Sequence, residues 1–203
     1  MKARGSSLQN AIIDAAAEEF SRCGFDGATM SDIAERTKCS KATLYNHFKS
    51  KDELFLKVMM ASIRRNIDEA YSELENDNDI FPALRKFGIK YLAVRQSPDM
   101  VSLMRLAFGE AGRSDIGRLL YQRERMKGVL KIEKFISWAM NNALLRRDNS
   151  LHAAEYFLSL LESRLIQPVI LRARMPAEPD EIKTLVDDAL GIFSFAYLSP
   201  QKP

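Results

Sequence analysis

Apolar residues recur along nearly the whole chain at spacings of three and four, the period of helices that bury one face. Between Ser7 and Cys23 these positions are Leu8, Ile12, Ile13, Ala16, Ala17 and Phe20, and Gly24 supplies a stop. Thr29-x-x-Asp32 reads as a capping box with Asp in place of Glu or Gln, opening a short second helix that turns Ile33 and Ala34 inward. After a break at Thr37-Lys38-Cys39, Ser40 can accept a backbone N–H at the start of a third helix. Leu44 and Phe48, four apart, give that helix one apolar stripe. Ser50-x-x-Glu53 is a further capping box. It starts a long helix through Leu54, Val58, Met59, Ile63, Ile67, Ala70, Tyr71 and Leu74 that ends near Glu75.

The polar run Asn76-Asp77-Asn78-Asp79 is a turn signal, and Pro82 fits the first turn of a helix running towards Arg95. Pro98-Asp99 opens the next, through Met100, Leu103, Met104, Ala107 and Phe108, ending by Gly112. Ser114-Asp115 caps a single long helix reaching about Leu145, followed by the loop Arg146–Ser150. Two apolar-rich helices, about 151–174 and 178–198, close the chain, and Pro168 is expected to kink or break the first. No strand pattern competes, and no repeat of fixed period is visible. The expected fold is all-α with about nine helices. A three-helix unit, residues 1–50, precedes a larger helical body, residues 51–203, and the helix from Ser50 leaves one and enters the other.

Composition narrows the function. With 203 residues, 46% hydrophobic and 28% charged, the chain is an ordinary globular one. No window approaches the roughly 18 uninterrupted apolar residues of a spanning helix. The basic start Met1–Ser7 is followed by Asp14, Glu18, Glu19 and Arg22 rather than an apolar block, so the expected location is the cytoplasm. Two cysteines, Cys23 and Cys39, are too few for a secreted disulfide scaffold. His47 and His152 lack partners at metal-ligand spacing, so neither metal nor cofactor is expected. Glu110, Glu133, Glu162 and His152 are scattered, without the grouping a catalytic site requires, so no enzyme is expected.

The net charge of +3 is unevenly placed. From Arg36 to Lys51 there are five basic residues, Arg36, Lys38, Lys41, Lys49 and Lys51, and no acidic one. Charge alone would suit any solvated face; the residues between the charges change the picture. Two short helices joined by a tight turn, the second short and flanked by cations, follow the plan of a helix-turn-helix. With Leu44 and Phe48 inward, Ala42, Thr43, Tyr45 and Asn46 project outward and Lys41 and His47 flank them. That face is small and polar, suited to a major groove about 12 Å wide.

Phe20, Gly24, Phe25, Thr29, Asp32-Ile33-Ala34, the run Ser40 to Phe48 and the run Lys49 to Leu54 resemble the DNA-binding domain of the tetracycline-repressor (TetR) family. The resemblance covers about residues 8–57. Where the family often has Ala-Gly-Val in the turn, this chain has Thr37-Lys38-Cys39, so Lys38 must take a conformation that Gly adopts at about 1 kcal/mol less. The resemblance implies that Ser31, Lys41, Ala42 and Tyr45 approach bases and that Thr29, Thr43, His47 and Lys51 contact phosphates, with Ser40 and Asn46 completing the surface. Lys51 also stands in the first turn of a helix, where free amides favour an anion.

A recognition helix this small reads few base pairs, so two copies on a symmetric dimer and a palindromic double-stranded DNA operator are expected. The apolar stripes Leu158, Leu161, Leu165, Val169 and Leu185, Val186, Ala189, Phe193 suit a homodimer face, with a monomer core as the alternative, and the resemblance favours the face. Met59, Ile63, Phe87, Tyr91, Met104, Phe108, Met126, Trp138 and Phe157 are core-like, or line a permissive pocket. The resemblance implies that this region binds an effector. Arg105 could meet an acidic ligand group or lie exposed. The expected protein is a dimeric transcriptional regulator, a repressor released by a small apolar or amphipathic effector acting through the helix from Ser50. The alternative is a helix-turn-helix protein without a small-molecule effector, controlled by a protein partner.

Overall fold

The computed structural model describes residues 2–74 and 79–198, without the side chains of residues 2–7 and Ser62; the expected turn residues Asn76 to Asn78 and the helix end at Glu75 lie outside these. The helical period is realised almost everywhere. The α-helices are α1 (Lys2–Gly27), α2 (Met30–Arg36), α3 (Lys41–His47), α4 (Lys51–Ser72), α5 (Ile80–Arg95), α6 (Pro98–Gly109), α7 (Ile116–Leu119), α8 (Met126–Asn141), α9 (Ser150–Glu162), α10 (Ile166–Ile170) and α11 (Pro179–Tyr197). No strand occurs among the described residues. No helix among them is long and apolar enough to cross a membrane.

Two departures from the expected helix list have local causes. The single helix expected from Asp115 to Leu145 is α7 and α8 joined by a π-helical stretch, Leu120–Arg125, whose wider turn changes the hydrogen bonding and buries none of its residues. The helix expected over 151–174 is divided into α9 and α10 ahead of Pro168. Proline has no N–H to offer the carbonyl of Arg164, and that oxygen accepts from Arg174 Nη1 at 3.2 Å instead.

The chain forms two compact units, and neither coincides with residues 1–50 and 51–203: Met1–Ser62 with Ala107–Leu120, and Ile63–Leu106 with Tyr121–Pro203. In the first unit, Ile12, Ala16, Ile33, Leu44, Phe48 and Leu54 are buried, as their spacing required. Gly24 adopts φ 73° and ψ 179°, a conformation open to glycine, and breaks α1 there. Beyond the break, Phe25 joins Phe20 and Phe55, with ring centroids 5.1 Å from Phe55 and 6.2 Å from Phe20. Lys38 takes the positive φ of 51° that its place in the turn demanded.

A buried carboxylate anchors the same unit. Glu19, 1% exposed, pairs with Arg22 at 2.5 Å and with Arg36 of α2 at 3.6 Å, while Arg36 also pairs with Glu18. The Arg22 hydrogen bond holds the Glu19 carboxyl below the ordinary carboxylate range, outweighing the upward push of burial. A carboxyl whose folded-state pKa is depressed stabilises the fold above its unfolded-state value and loses that contribution as pH falls through the folded one. Glu19→Gln is therefore expected to flatten the acid limb of the stability profile of the intact protein. Thermal unfolding from neutral pH down through the carboxylate range reads this directly; an unchanged acid limb would contradict it.

The second unit is built around a run of aromatic rings. Phe87 lies 5.2 Å from Tyr71, 5.1 Å from Tyr91 and 6.3 Å from Phe157, and Phe157 continues the run to Phe193 at 5.1 Å. Gly88 lets α5 lie close to α9 and α11: a Cβ there would stand 2.9 Å from Val186 Cγ1 and 3.2 Å from Leu161 Cδ2. The expected dimer face is corrected by this packing. Leu158, Leu161, Leu165, Val169, Leu185, Val186, Ala189 and Phe193 are all buried in the core of their own chain, none more than 7% exposed. Their stripes are satisfied by α5 and by each other before any partner is added.

Candidate nucleic-acid interface

The helix-turn-helix is assembled by its own short-range hydrogen bonds. Thr29 Oγ1 accepts from the Asp32 N–H at 3.2 Å and donates to Asp32 Oδ2 at 2.7 Å, closing the start of α2. Ser40 Oγ accepts from the Thr43 N–H at 3.0 Å and lies 2.8 Å from Thr43 Oγ1, doing the same for α3. The Ser40 hydroxyl thus serves the start of the helix. Leu44 and Phe48 are 0% and 1% exposed, which fixes the orientation of α3 about its axis. Lys41, Ala42, Tyr45 and Asn46 are consequently turned to solvent, and Thr43 and His47 are half-buried at the margin. Ser31, in the first turn of α2, is also half-buried. The side chains of Lys41, Tyr45 and Asn46 hold no hydrogen bond or ion pair with the described residues, so their donors and acceptors remain available.

Lys51 departs from its expected role. Its Nζ donates to Phe25 O at 2.7 Å and Ala28 O at 3.2 Å, and lies 4.4 Å from the Phe25 ring centroid. The ammonium closes the carbonyl end of α1 rather than standing ready for a phosphate. The start of α4 is likewise occupied: Glu53 accepts the Lys49 N–H at 3.0 Å and Ser50 Oγ accepts the Glu53 N–H at 3.1 Å. The exposed Lys49, present in the basic run but not singled out from sequence, is the cation left facing solvent there.

The expected pocket residues do not form one group. Phe87, Tyr91 and Phe157 are buried together, Ile63 is buried, and Met104 and Met126 are half-buried in the second unit. Met59 belongs to the first unit. Phe108 also lies in the first unit, 62% exposed, and Trp138, 38% exposed, stacks on Phe135 at the outer side of α8. Both have core-like spacing but point outward on their helices, so neither lines an interior space. Arg105 is not free: it donates to Ile170 O at 2.8 Å and Val169 O at 3.0 Å, capping the end of α10.

Two features of the second unit were not legible in sequence. Glu162 Oε1 accepts from Arg125 Nη1 at 2.8 Å, from Arg95 Nε at 3.1 Å and from the Tyr91 hydroxyl. Its partners lie 37 to 71 residues away, beyond the reach of any local pattern. A shallow groove of about 600 Å³ runs along the outside of α5 and α11, lined by Phe81, Pro82, Arg85, Lys86, Leu190 and Ser194. Arg85 at its edge is bound by Asp187 through two hydrogen bonds of 2.6 and 2.9 Å.

Known proteins share this organisation. The pattern described as "Bacterial regulatory proteins, tetR family" matches residues 12–58, and "AefR-like transcriptional repressor, C-terminal domain" matches residues 82–199. The biofilm operon negative transcriptional regulator IcaR of Staphylococcus epidermidis is 35% identical over 72 residues, covering 32% of this chain and 39% of that protein. IcaR of Staphylococcus aureus strain Newman is 44% identical over 48 residues, 24% of this chain and 26% of its own. The chain thus spans about two fifths or less of these relatives' length. A TetR-family regulator from Mesorhizobium loti shares the fold at TM-score 0.77 and 23% identity, over 96% of this chain and 98% of its own. The flavonoid-responsive regulator FrrA does so at TM-score 0.73 and 27% identity, over 97% and 100%. Since the AefR-like pattern alone spans more than half of the residues and the tetR pattern falls on the helix-turn-helix, the chain belongs to the tetR family of transcriptional regulators, DNA-binding proteins rather than enzymes.

Proposed function

We propose that this regulator is a homodimeric cytoplasmic repressor that leaves a palindromic operator when a small amphipathic effector binds its helical body. The observation that carries the reading is the outward face of α3, exposed and unpaired while its inward face is locked by Leu44 and Phe48. Lys41, Ala42 and Tyr45 read base edges, with Ser31 and Asn46 beside them. Thr29, Thr43, His47 and Lys49 hold the backbone and set the register. The dimer forms through the outward faces of α9 and α11, where Tyr156 is 57%, Ile192 57% and Phe195 94% exposed.

Effector control is supported by the likeness, over 97% of the chain, to the flavonoid-responsive regulator FrrA. The coupling element is α4, which runs without a break from Lys51 to Ser72. Its second half is tied to the π-helical stretch by Arg64–Glu124 at 3.2 Å and to α8 by Asp68–Lys131 at 3.1 Å. An effector that binds one position of this helix better than the other lowers operator affinity by that difference, and operator lowers effector affinity equally. Fluorescence anisotropy with DNA from beside the gene, against scrambled DNA at several salt concentrations, tests the reading. Tyr45→Ala is expected to weaken the specific complex about tenfold and leave binding to scrambled DNA unchanged. Equal loss on both DNAs would remove Tyr45 from base reading.

A further inference from the structure

Buried ions are tolerated when their charges cancel, and one cluster in the second unit does not cancel. Arg95 and Arg125 share a single carboxylate, Glu162, and their side chains are 11% and 26% exposed against 18% for Glu162. The hydroxyl groups around them supply no second negative charge. Burial pushes the Tyr71 hydroxyl up to about 12 and the Tyr91 hydroxyl higher still, so both remain neutral. The cluster therefore carries one positive charge in excess.

The hydrogen bonds show where that excess is available. All three donors converge on Glu162 Oε1, and Arg125 Nη1 also donates to the Tyr91 oxygen at 2.8 Å. Arg95 Nη1 approaches the Met104 sulfur at 3.8 Å. Arg125 Nε and Nη2 and Arg95 Nη2 hold no hydrogen bond with the described residues and are not sealed from solvent. Guanidinium edges of this kind present paired donors matched to a planar or tetrahedral oxyanion. The apolar surroundings are the Phe87 ring stacked on Tyr91 and the Met104 side chain. Arg125 is the last residue of the π-helical stretch, a distortion that persists where a site needs one side chain re-aimed.

The geometry points to the Arg95–Arg125–Glu162 cluster as the anchor for the anionic oxygens of the effector, a small organic acid with an apolar or aromatic body. This deepens the reading that the helical body takes an effector and rests on it. The outer groove of α5 and α11 is not that anchor, because Asp187 already neutralises its Arg85.

Paired dyes test this: anilinonaphthalene sulfonate, which is anionic, and phenylnaphthylamine, its uncharged counterpart. In fluorescence titrations of the intact protein, the anionic dye is expected to bind at least about tenfold more tightly. Arg95→Met and Arg125→Met each remove most of that preference and leave the neutral dye unchanged, Arg125→Lys retains part of it, and Arg85→Met in the groove has no effect. Equal affinities in the unaltered protein, a preference surviving both cluster variants, or its loss in Arg85→Met would overturn the assignment. Operator anisotropy in the same samples separates the two readings. A charge preference centred on the cluster, with no release of DNA by the anionic dye, upholds the anion site while removing it from control of the operator.

Discussion

Phe195→Glu is expected to convert the proposed dimer into monomers that keep their helicity but bind operator at least about a hundredfold more weakly. The side chain is 94% exposed in the single chain, so its replacement removes almost no packing from the folded protomer. In a two-fold interface the change is made on both partners. It loses two aromatic anchors and places two carboxylates in an apolar contact with Ile192 and Tyr156, where an unpaired charge is costly. DNA affinity falls because the second recognition helix no longer binds at the high effective concentration that tethering supplies, in the millimolar range for short connections. Sedimentation velocity and operator anisotropy on the same preparation read both effects. A variant that stays dimeric would place the interface on another face.

The second large effect is expected at Glu162. Replacing it by leucine leaves Arg95 and Arg125 without their shared acceptor and strands the Tyr91 hydroxyl, which is 3% exposed as part of its residue. Removing one partner of a buried ion pair costs about 3–5 kcal/mol, and partial exposure of this cluster brings the expectation to about 2–4 kcal/mol. Tyr91→Phe removes only one neutral donor and should cost about 1 kcal/mol. Thermal unfolding of the two variants ranks these losses. Near-equal values would mean that the pairing of Glu162 with Arg95 and Arg125 adds nothing to stability.

The features legible in sequence are those whose cause is local. Thr29, Ser40 and the Ser50–Glu53 pair cap the helices they were expected to cap, because partner and cap are three residues apart. Lys38 takes the positive φ expected of its place in the turn between α2 and α3. The wheel of α3 placed Tyr45 and Asn46 outside because Leu44 and Phe48 fill the opposite side. Periodicity is silent on what covers an apolar stripe, so Leu158 and Leu185 read as a dimer face although Gly88 lets α5 cover them within the chain. The same silence let Phe108 and Trp138 pass as interior residues. Lys51 and Glu162 were misread or passed over because their partners are 23 or more residues away in the chain.

Lys51 has a mechanical meaning beyond capping. Its ammonium, in the first turn of α4, grips the carbonyls that end α1, and the Phe55 ring of α4 wedges between Phe20 and Phe25. A pull on the start of α4 is therefore shared by α1. On the reading proposed above, derepression would resemble the shifting of a key in its lock rather than the bending of the key. The operator would then be lost through a change of spacing between two reading heads, each of which keeps its own fold.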